Sequence, residues 1–216
     1  MMVRDVLNRA AHALEREGIP SARLDAEILL SRFLETDRTG LYRAPELPLR
    51  PDQLRDFRQW IARRSRGEPA AYILNRKEFW GLPLEVNDRV LVPRPETEIL
   101  VEEALACCAG RGDQRLQILE IGTGSGAVSV ALATELTSAW IVATDISGDA
   151  LSIAADNASR HGVKERISFL QGDLLAPFSG SFDIILCNPP YISDSEYQRL
   201  PREIRLYEPP AALMGG

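Results

Sequence analysis

The sequence predicts an α/β chain in three parts: a helical bundle over residues 1–74, a linking β-hairpin over 75–95, and a helix-covered parallel sheet over 96–216. Three observations predict it. Apolar residues recur at helical spacing through the first part, that period breaks between 76 and 95, and from Leu116 strand-length apolar runs alternate with helix-length segments.

In the first part, Val3, Leu7, Ala10, Ala11 and Leu14 form one apolar stripe, and Gly18 ends it before Pro20. A second stripe, from about Ser21, carries Leu24, Ile28, Leu29, Phe33 and Leu34. A proline-containing loop, RAPELPLRP, leads to a third with Leu54, Phe57, Trp60 and Ile61. Three short amphipathic helices bury their stripes only against each other, which predicts a small bundle whose aromatics are core. The run Arg63, Arg64 and Arg66 reads as a solvated helix end.

In the linker, EFWGLPLEV and RVLVP look extended and flank the turn-forming pair Asn87-Asp88, so a hairpin is expected there. Pro95-Glu96-Thr97-Glu98 then opens a helix: proline suits the first turn, and the acids favour the positive end of the dipole. Ile99, Leu100, Ala104, Leu105 and Cys108 are its expected buried face. Beyond it, LQILEI, WIVATD, ISFLQGD and FDIILCN read as parallel strands, with helices over Gly126–Glu135 and Ser147–His161 between the first three.

Composition narrows the function classes. Of 216 residues, 45% are apolar and 26% charged, the balance of an ordinary globular protein. The net charge of -6 argues against a long nucleic-acid footprint, since neutralising many phosphates needs a basic surface, although a local patch can oppose the average. Three cysteines, two of them the neighbours Cys107 and Cys108, give no disulfide framework and fit a reducing compartment, hence a cytoplasmic location. No run approaches the ~18 apolar residues needed to span a bilayer. His12 and His161 lie far apart without metal-spaced partners, so no metal site is expected.

Two motifs carry chemistry. Glu120-Ile121-Gly122-Thr123-Gly124-Ser125-Gly126 stands where the first parallel strand turns into its helix. Alternate glycines permit a tight turn on which a ligand lies directly. Gly122, Gly124 and Ala127 also satisfy the dinucleotide pattern, with Asp145 placed to grip a ribose hydroxyl, so a dehydrogenase would show the same two features. Two acids tilt the reading toward S-adenosylmethionine. Glu120 can receive the amino group of a methionine moiety, and would sit awkwardly near a pyrophosphate. Asp173, at the end of the third strand, can accept from an adenine amino group while Leu174 packs on the ring.

The second motif is Asn188-Pro189-Pro190-Tyr191, directly after the fourth strand. Consecutive prolines hold the chain extended, so the asparagine oxygen and a neighbouring proline carbonyl can converge on an NH2 group, with Tyr191 as a stacking face. An amide nitrogen is a poor nucleophile, and holding it in place is the catalysis it needs. No strong base is required, in keeping with the lack of a nearby histidine.

With LEIGTGSGAVSVALA, Asp145, QGDLL and CNPPYI in place, the chain resembles class I, Rossmann-like methyltransferases. More narrowly, it resembles the HemK/PrmC family of protein-(glutamine-N5) methyltransferases, through RGEPAAYILNRKEFWGLPLEVNDRVLVPRPETEIL, ARLDAEILL and YEPPAAL. The resemblance implies that Gly122, Thr123, Gly124, Ser125 and Gly126 cradle the methionine part of S-adenosylmethionine, Asp145 holds the ribose and Leu174 flanks the adenine. It implies that Asn188, Pro189, Pro190 and Tyr191 bind the target amide, the glutamine in the GGQ motif of peptide chain release factors. The helical domain would dock that protein, and Phe79, Trp80 and Arg94 would line the cleft or, for the two aromatics, pack in the core. Asn-Pro-Pro-Tyr also occurs in enzymes that methylate adenine-N6 and guanine-N2, so a nucleic-acid amino methyltransferase is the alternative, and an inactive remnant a further one. Class I enzymes usually carry seven strands; only four are legible here, which predicts a sheet truncated at its C-terminal side.

Overall fold

The computed structural model describes residues 1–111, 115–175 and 180–215. The chain divides into two compact units, Met1–Leu74 with Pro201–Tyr207, and Asn75–Leu200 with Glu208–Gly216.

The first unit holds α1 (Val3–Arg16), α2 (Ala22–Phe33), α3 (Arg38–Arg43), α4 (Pro51–Ser65) and α5 (Ala70–Ile73). Val3, Val6, Leu7, Ala10, Ala11 and Leu14 bury one face of α1 at i, i+3, i+4 spacing. The buried face of α2 is rotated from the expected stripe: Ala22, Ala26, Leu29 and Leu30 face inward and Leu24 is 42% exposed. The rotation follows from polar partners, because Asp25 and Glu27 on the same helix are buried too. Glu27 accepts from Arg23, Arg38 and Tyr42.

Arg64 corrects the expectation of a solvated arginine run. It is 3% exposed, and its guanidinium meets Asp25 Oδ2 at 2.7 Å and Glu203 Oε2 at 2.6 Å. A buried guanidinium needs such partners to offset its lost hydration. This pairing, with the Tyr207 hydroxyl donating to the Arg66 carbonyl at 3.4 Å, explains why Pro201–Tyr207, read from the sequence as part of 96–216, cluster with the first unit.

The second unit opens with the antiparallel hairpin β1 (Lys77–Phe79) and β2 (Leu82–Leu84). Its turn lies at Trp80-Gly81, with φ of 53° and 68°, rather than at Asn87-Asp88. Two residues at positive φ make the tight turn whose twist matches the strands. Trp80 holds this conformation because its backbone N–H donates to Glu98 and its indole Nε1 to Glu135, both at 2.9 Å. Asn87 makes only a local turn, accepting from the Arg89 N–H at 3.0 Å.

Next come α6 (Glu98–Cys108), β3 (Gln117–Ile121), α7 (Ala127–Glu135), β4 (Trp140–Asp145), α8 (Gly148–Arg160), β5 (Ile167–Gln171) and β6 (Ile184–Cys187). On α6 the buried face is Val101, Ala104 and Cys108, while Ile99 is 55% exposed and not part of it. The sheet is parallel, four strands in the order β5-β4-β3-β6. Ile118, Leu119, Ile141 and Ala143 on its two central strands are fully buried, as helix-covered strands must be. From β3 the chain proceeds outward to β4 and β5, then returns to place β6 on the other side of β3. Such a reversal leaves a crevice at the carboxyl ends of the strands on either side of it, where open α/β sheets bind ligands.

Candidate active site

That crevice is a cavity of about 490 Å³, within the range of small-ligand pockets. Strand register builds it. Ile121 is paired with Thr144 on one side and with Cys187 on the other, so Gly122 and Asn188 leave neighbouring strands at the same level. Both line the cavity, with Asp145 from the end of β4.

The glycine turn is fixed from below. The Thr123 N–H donates to the Thr144 carbonyl at 2.8 Å, and the Gly124 N–H to Asp145 Oδ2 at 2.9 Å. Gly122 and Gly124 sit at φ of 73° and 55°, and a Cβ on either would meet nothing within 4 Å. The backbone is therefore bare toward the cavity, the form a ligand-bearing turn requires. Gly126 differs and does not line the cavity: a Cβ there would stand 2.9 Å from the Ala154 Cβ on α8, so this glycine serves helix packing. Thr123 and Ser125 do line it.

Asn157, 0% exposed, ties the turn to the linker. Its Nδ2 donates to the Ser125 carbonyl at 2.9 Å and the Glu85 carbonyl at 3.0 Å, while its Oδ1 accepts from the Glu85 N–H at 2.7 Å. Sequence reading passed over this residue, because an asparagine inside a helix carries no motif.

Glu120 is 6% exposed and lines the cavity. Among the described residues its donors, the Thr123 hydroxyl and the Ser129 N–H and hydroxyl, all meet Oε2. Oε1 is left for the cavity side. Burial pushes its carboxyl up to about 7, against the hydrogen bonds from Ser129 and Thr123 that favour the carboxylate. Asp145 uses its other oxygen, Oδ1, to accept from the Ser147 N–H at 2.9 Å. Asp173 and Leu174 follow β5 after Gly172; both are exposed and both line the cavity, Leu174 at φ 46°.

Asn188, Pro189 and Pro190 line the cavity and are exposed at its mouth. Among the described residues Asn188 makes one side-chain bond, Nδ2 donating to Thr97 Oγ1 at 3.4 Å, which leaves Oδ1 as an acceptor. Among the described residues no donor reaches the Pro189 carbonyl. Tyr191 is 79% exposed and stands outside the lining. Of the linker residues, Arg94 lines the cavity, Phe79 is 1% exposed in the core, and Trp80 packs beside that core. Thr97, Pro209 and Met214 also line it and were not singled out from the sequence. The described residues contain no cluster suited to a metal ion and no helix long and apolar enough to cross a membrane.

A helix-covered parallel sheet with a bare glycine turn, an acid closing the next strand and an Asn-Pro-Pro turn beside both defines a Rossmann-like methyltransferase domain. Residues 97–204 match the family model described as methyltransferase small domain, and residues 5–74 the PrmC N-terminal domain. The chain is 43% identical over 215 residues to the release factor glutamine methyltransferase of Geobacter sulfurreducens, covering 99% of this chain and 74% of that protein. The enzymes of the same name from Chlorobaculum tepidum and Nitratidesulfovibrio vulgaris are 42% and 41% identical, covering 91% and 98% of this chain and 69% and 71% of theirs. The chain belongs to the release factor glutamine methyltransferase family.

Proposed function

We propose that this protein transfers a methyl group from S-adenosylmethionine to the side-chain amide nitrogen of the glutamine in the GGQ motif of peptide chain release factors. The observation that carries this reading is the register pairing of Ile121 with Cys187, which opens the glycine turn and the Asn188–Pro189 acceptors into one cavity.

The residues fit the cofactor. Gly122 and Gly124 present bare backbone, Glu120 keeps one oxygen toward the cavity for an amino group, and Asp145 stands at a strand end suited to ribose hydroxyls. Leu174, exposed within the lining, offers an apolar contact for an adenine, and Asp173 an acceptor for its amino group. When bound, S-adenosylmethionine supplies a methyl group made electrophilic by its sulfonium.

The chain's own contribution is to hold the acceptor nitrogen. Asn188 Oδ1 and the Pro189 carbonyl take its two hydrogens, and Thr97 keeps the asparagine amide turned the right way. These bonds strengthen as positive charge develops on the nitrogen, which favours the transition state over the ground state. Tyr191, exposed beside the mouth, is free to cover the planar group. The helical domain is the docking element for the release factor, and a translation factor as substrate places the enzyme in the cytoplasm.

Methyl transfer from labelled S-adenosylmethionine to intact release factor tests the reading, and Asn188→Ala should reduce it severely. Labelling of DNA or RNA in place of the release factor would overturn it.

A further inference from the structure

The acceptor turn has little of its own to hold it. Asn188 through Tyr191 are all exposed, the two prolines have no N–H, and among the described residues the Asn188 side chain bonds only to Thr97. A second stretch, residues 208–215, supplies what the turn lacks. Its root is Glu208, 3% exposed, whose carboxylate accepts from Arg94 Nη2 at 2.6 Å and from the Val92 N–H at 3.4 Å. Its middle is pinned by Leu213, 7% exposed. Its far part runs parallel to the residue after the turn. The Ile192 N–H donates to the Leu213 carbonyl at 2.9 Å, the Gly215 N–H donates to the Ile192 carbonyl at 3.2 Å, and Ile192 and Met214 form a parallel bridge.

At Gly215 the two backbones touch. A Cβ there would lie 2.5 Å from the Pro190 carbonyl oxygen, 3.2 Å from its carbon and 3.3 Å from Tyr191 Cα. No side chain fits without moving one strand of this contact. Arg94 and Thr97 belong to one short segment, so that segment holds the turn at both ends: at Asn188 through Thr97, and at Ile192 through Arg94, Glu208 and the stretch that follows.

We infer that residues 208–215 form a strap that positions the amide-binding turn, with Glu208 fixing its root and Gly215 its spacing. Both are positioning residues acting through Asn188–Tyr191. The inference rests on the reading of that turn as the amide-holding element.

The test uses Glu208→Gln and Gly215→Ala in the intact chain. Glu208→Gln keeps the shape of the side chain and removes the charge that Arg94 pairs with. Gly215 is exposed, and its added methyl forces the two backbones apart locally, so any fall in the thermal midpoint should be confined to a few degrees while the turn itself shifts. Amide hydrogen exchange is read at Ile192 and at residue 215, the two amides bonded across the contact, alongside methyl transfer to release factor at saturating S-adenosylmethionine. In both variants we expect exchange at these amides to rise about tenfold or more and kcat to fall at least about tenfold, a tenfold change being about 1.4 kcal/mol. Exchange at the parent's rate in both variants, or kcat within about twofold of the parent's, overturns the strap. Failure of the parent chain to methylate any release factor would instead remove the functional reading, and the exchange rates alone would then decide the strap.

Discussion

Ser125 and Glu85 are joined through one buried amide: Asn157 donates to both carbonyls and accepts from the Glu85 N–H, linking the glycine turn to the end of the hairpin. Removing a buried bonded group costs more than the bonds are worth, because its partners stay behind without hydration. Asn157→Ala should lower unfolding free energy by about 2–4 kcal/mol and weaken binding of S-adenosylhomocysteine, read by thermal melts and calorimetry. Asn157→Asp should be at least as harmful, since a carboxylate would face two carbonyls. A melt unchanged from the parent's would show that the turn does not depend on this residue.

Asn188→Ala removes one of the two acceptors proposed for the substrate amide and leaves the glycine turn untouched. We expect kcat for release-factor methylation to fall about 10²–10³-fold, with affinity for S-adenosylhomocysteine within a few-fold of the parent's. A comparable loss of cofactor affinity would mean that the asparagine serves the cofactor rather than the acceptor nitrogen.

If Glu120 receives the cofactor's amino group as proposed, cofactor binding should depend on pH. Its carboxyl is raised by burial to about 7 from the ordinary 4.5, so without ligand the folded protein holds a proton between those values that the unfolded chain has released. The stability this group contributes is complete below about 4.5 and is lost as pH rises through about 7, an effect of roughly 3 kcal/mol. A ligand ammonium beside Oε1 favours the carboxylate, so binding below pH 7 should release a proton. Affinity for S-adenosylhomocysteine should climb by up to about tenfold per unit as pH rises toward 7, then level off. Calorimetry at pH about 6 in two buffers of different ionisation enthalpy measures the proton directly. Glu120→Gln should flatten the profile; a flat profile in the parent would remove Glu120 from amino-group binding.

Asp25→Ala strands Arg64 in the first unit with one carboxylate partner fewer. Breaking a buried pair from one side costs about 3–5 kcal/mol, whereas replacing the whole cluster by apolar residues can be neutral. The single variant should therefore melt well below the parent, and Asp25→Ala combined with Arg64→Met should recover part of the loss. A single variant as stable as the parent would show that the guanidinium is hydrated after all.

The sheet is legible because each strand carries its signal locally, as an apolar run bounded by turns and helices, even though the strands pair across long stretches of sequence. Apolar runs of five or six residues between helical segments leave few other arrangements, and the glycine turn and Asn-Pro-Pro sit at strand ends. What stayed hidden depends on partners distant in sequence. Arg64 looked solvated because its second carboxylate, Glu203, lies 139 residues away. The sequence points to Asn87-Asp88, a good turn pair, because nothing local shows that Trp80 will be held at positive φ by Glu98 and Glu135. Thr97 was read as part of a helix start, and its hydroxyl gains a second use only when β6 brings Asn188 alongside.

The third glycine of the turn carries a lesson for redesign. Gly126 is required by its φ of 78° and by the α-carbon and methyl of Ala154, rather than by anything in the cavity. Libraries meant to reshape the cavity wall can vary Thr123 and Ser125, but any side chain at Gly126 would press α8 away at Ala154, so this position is to be left alone.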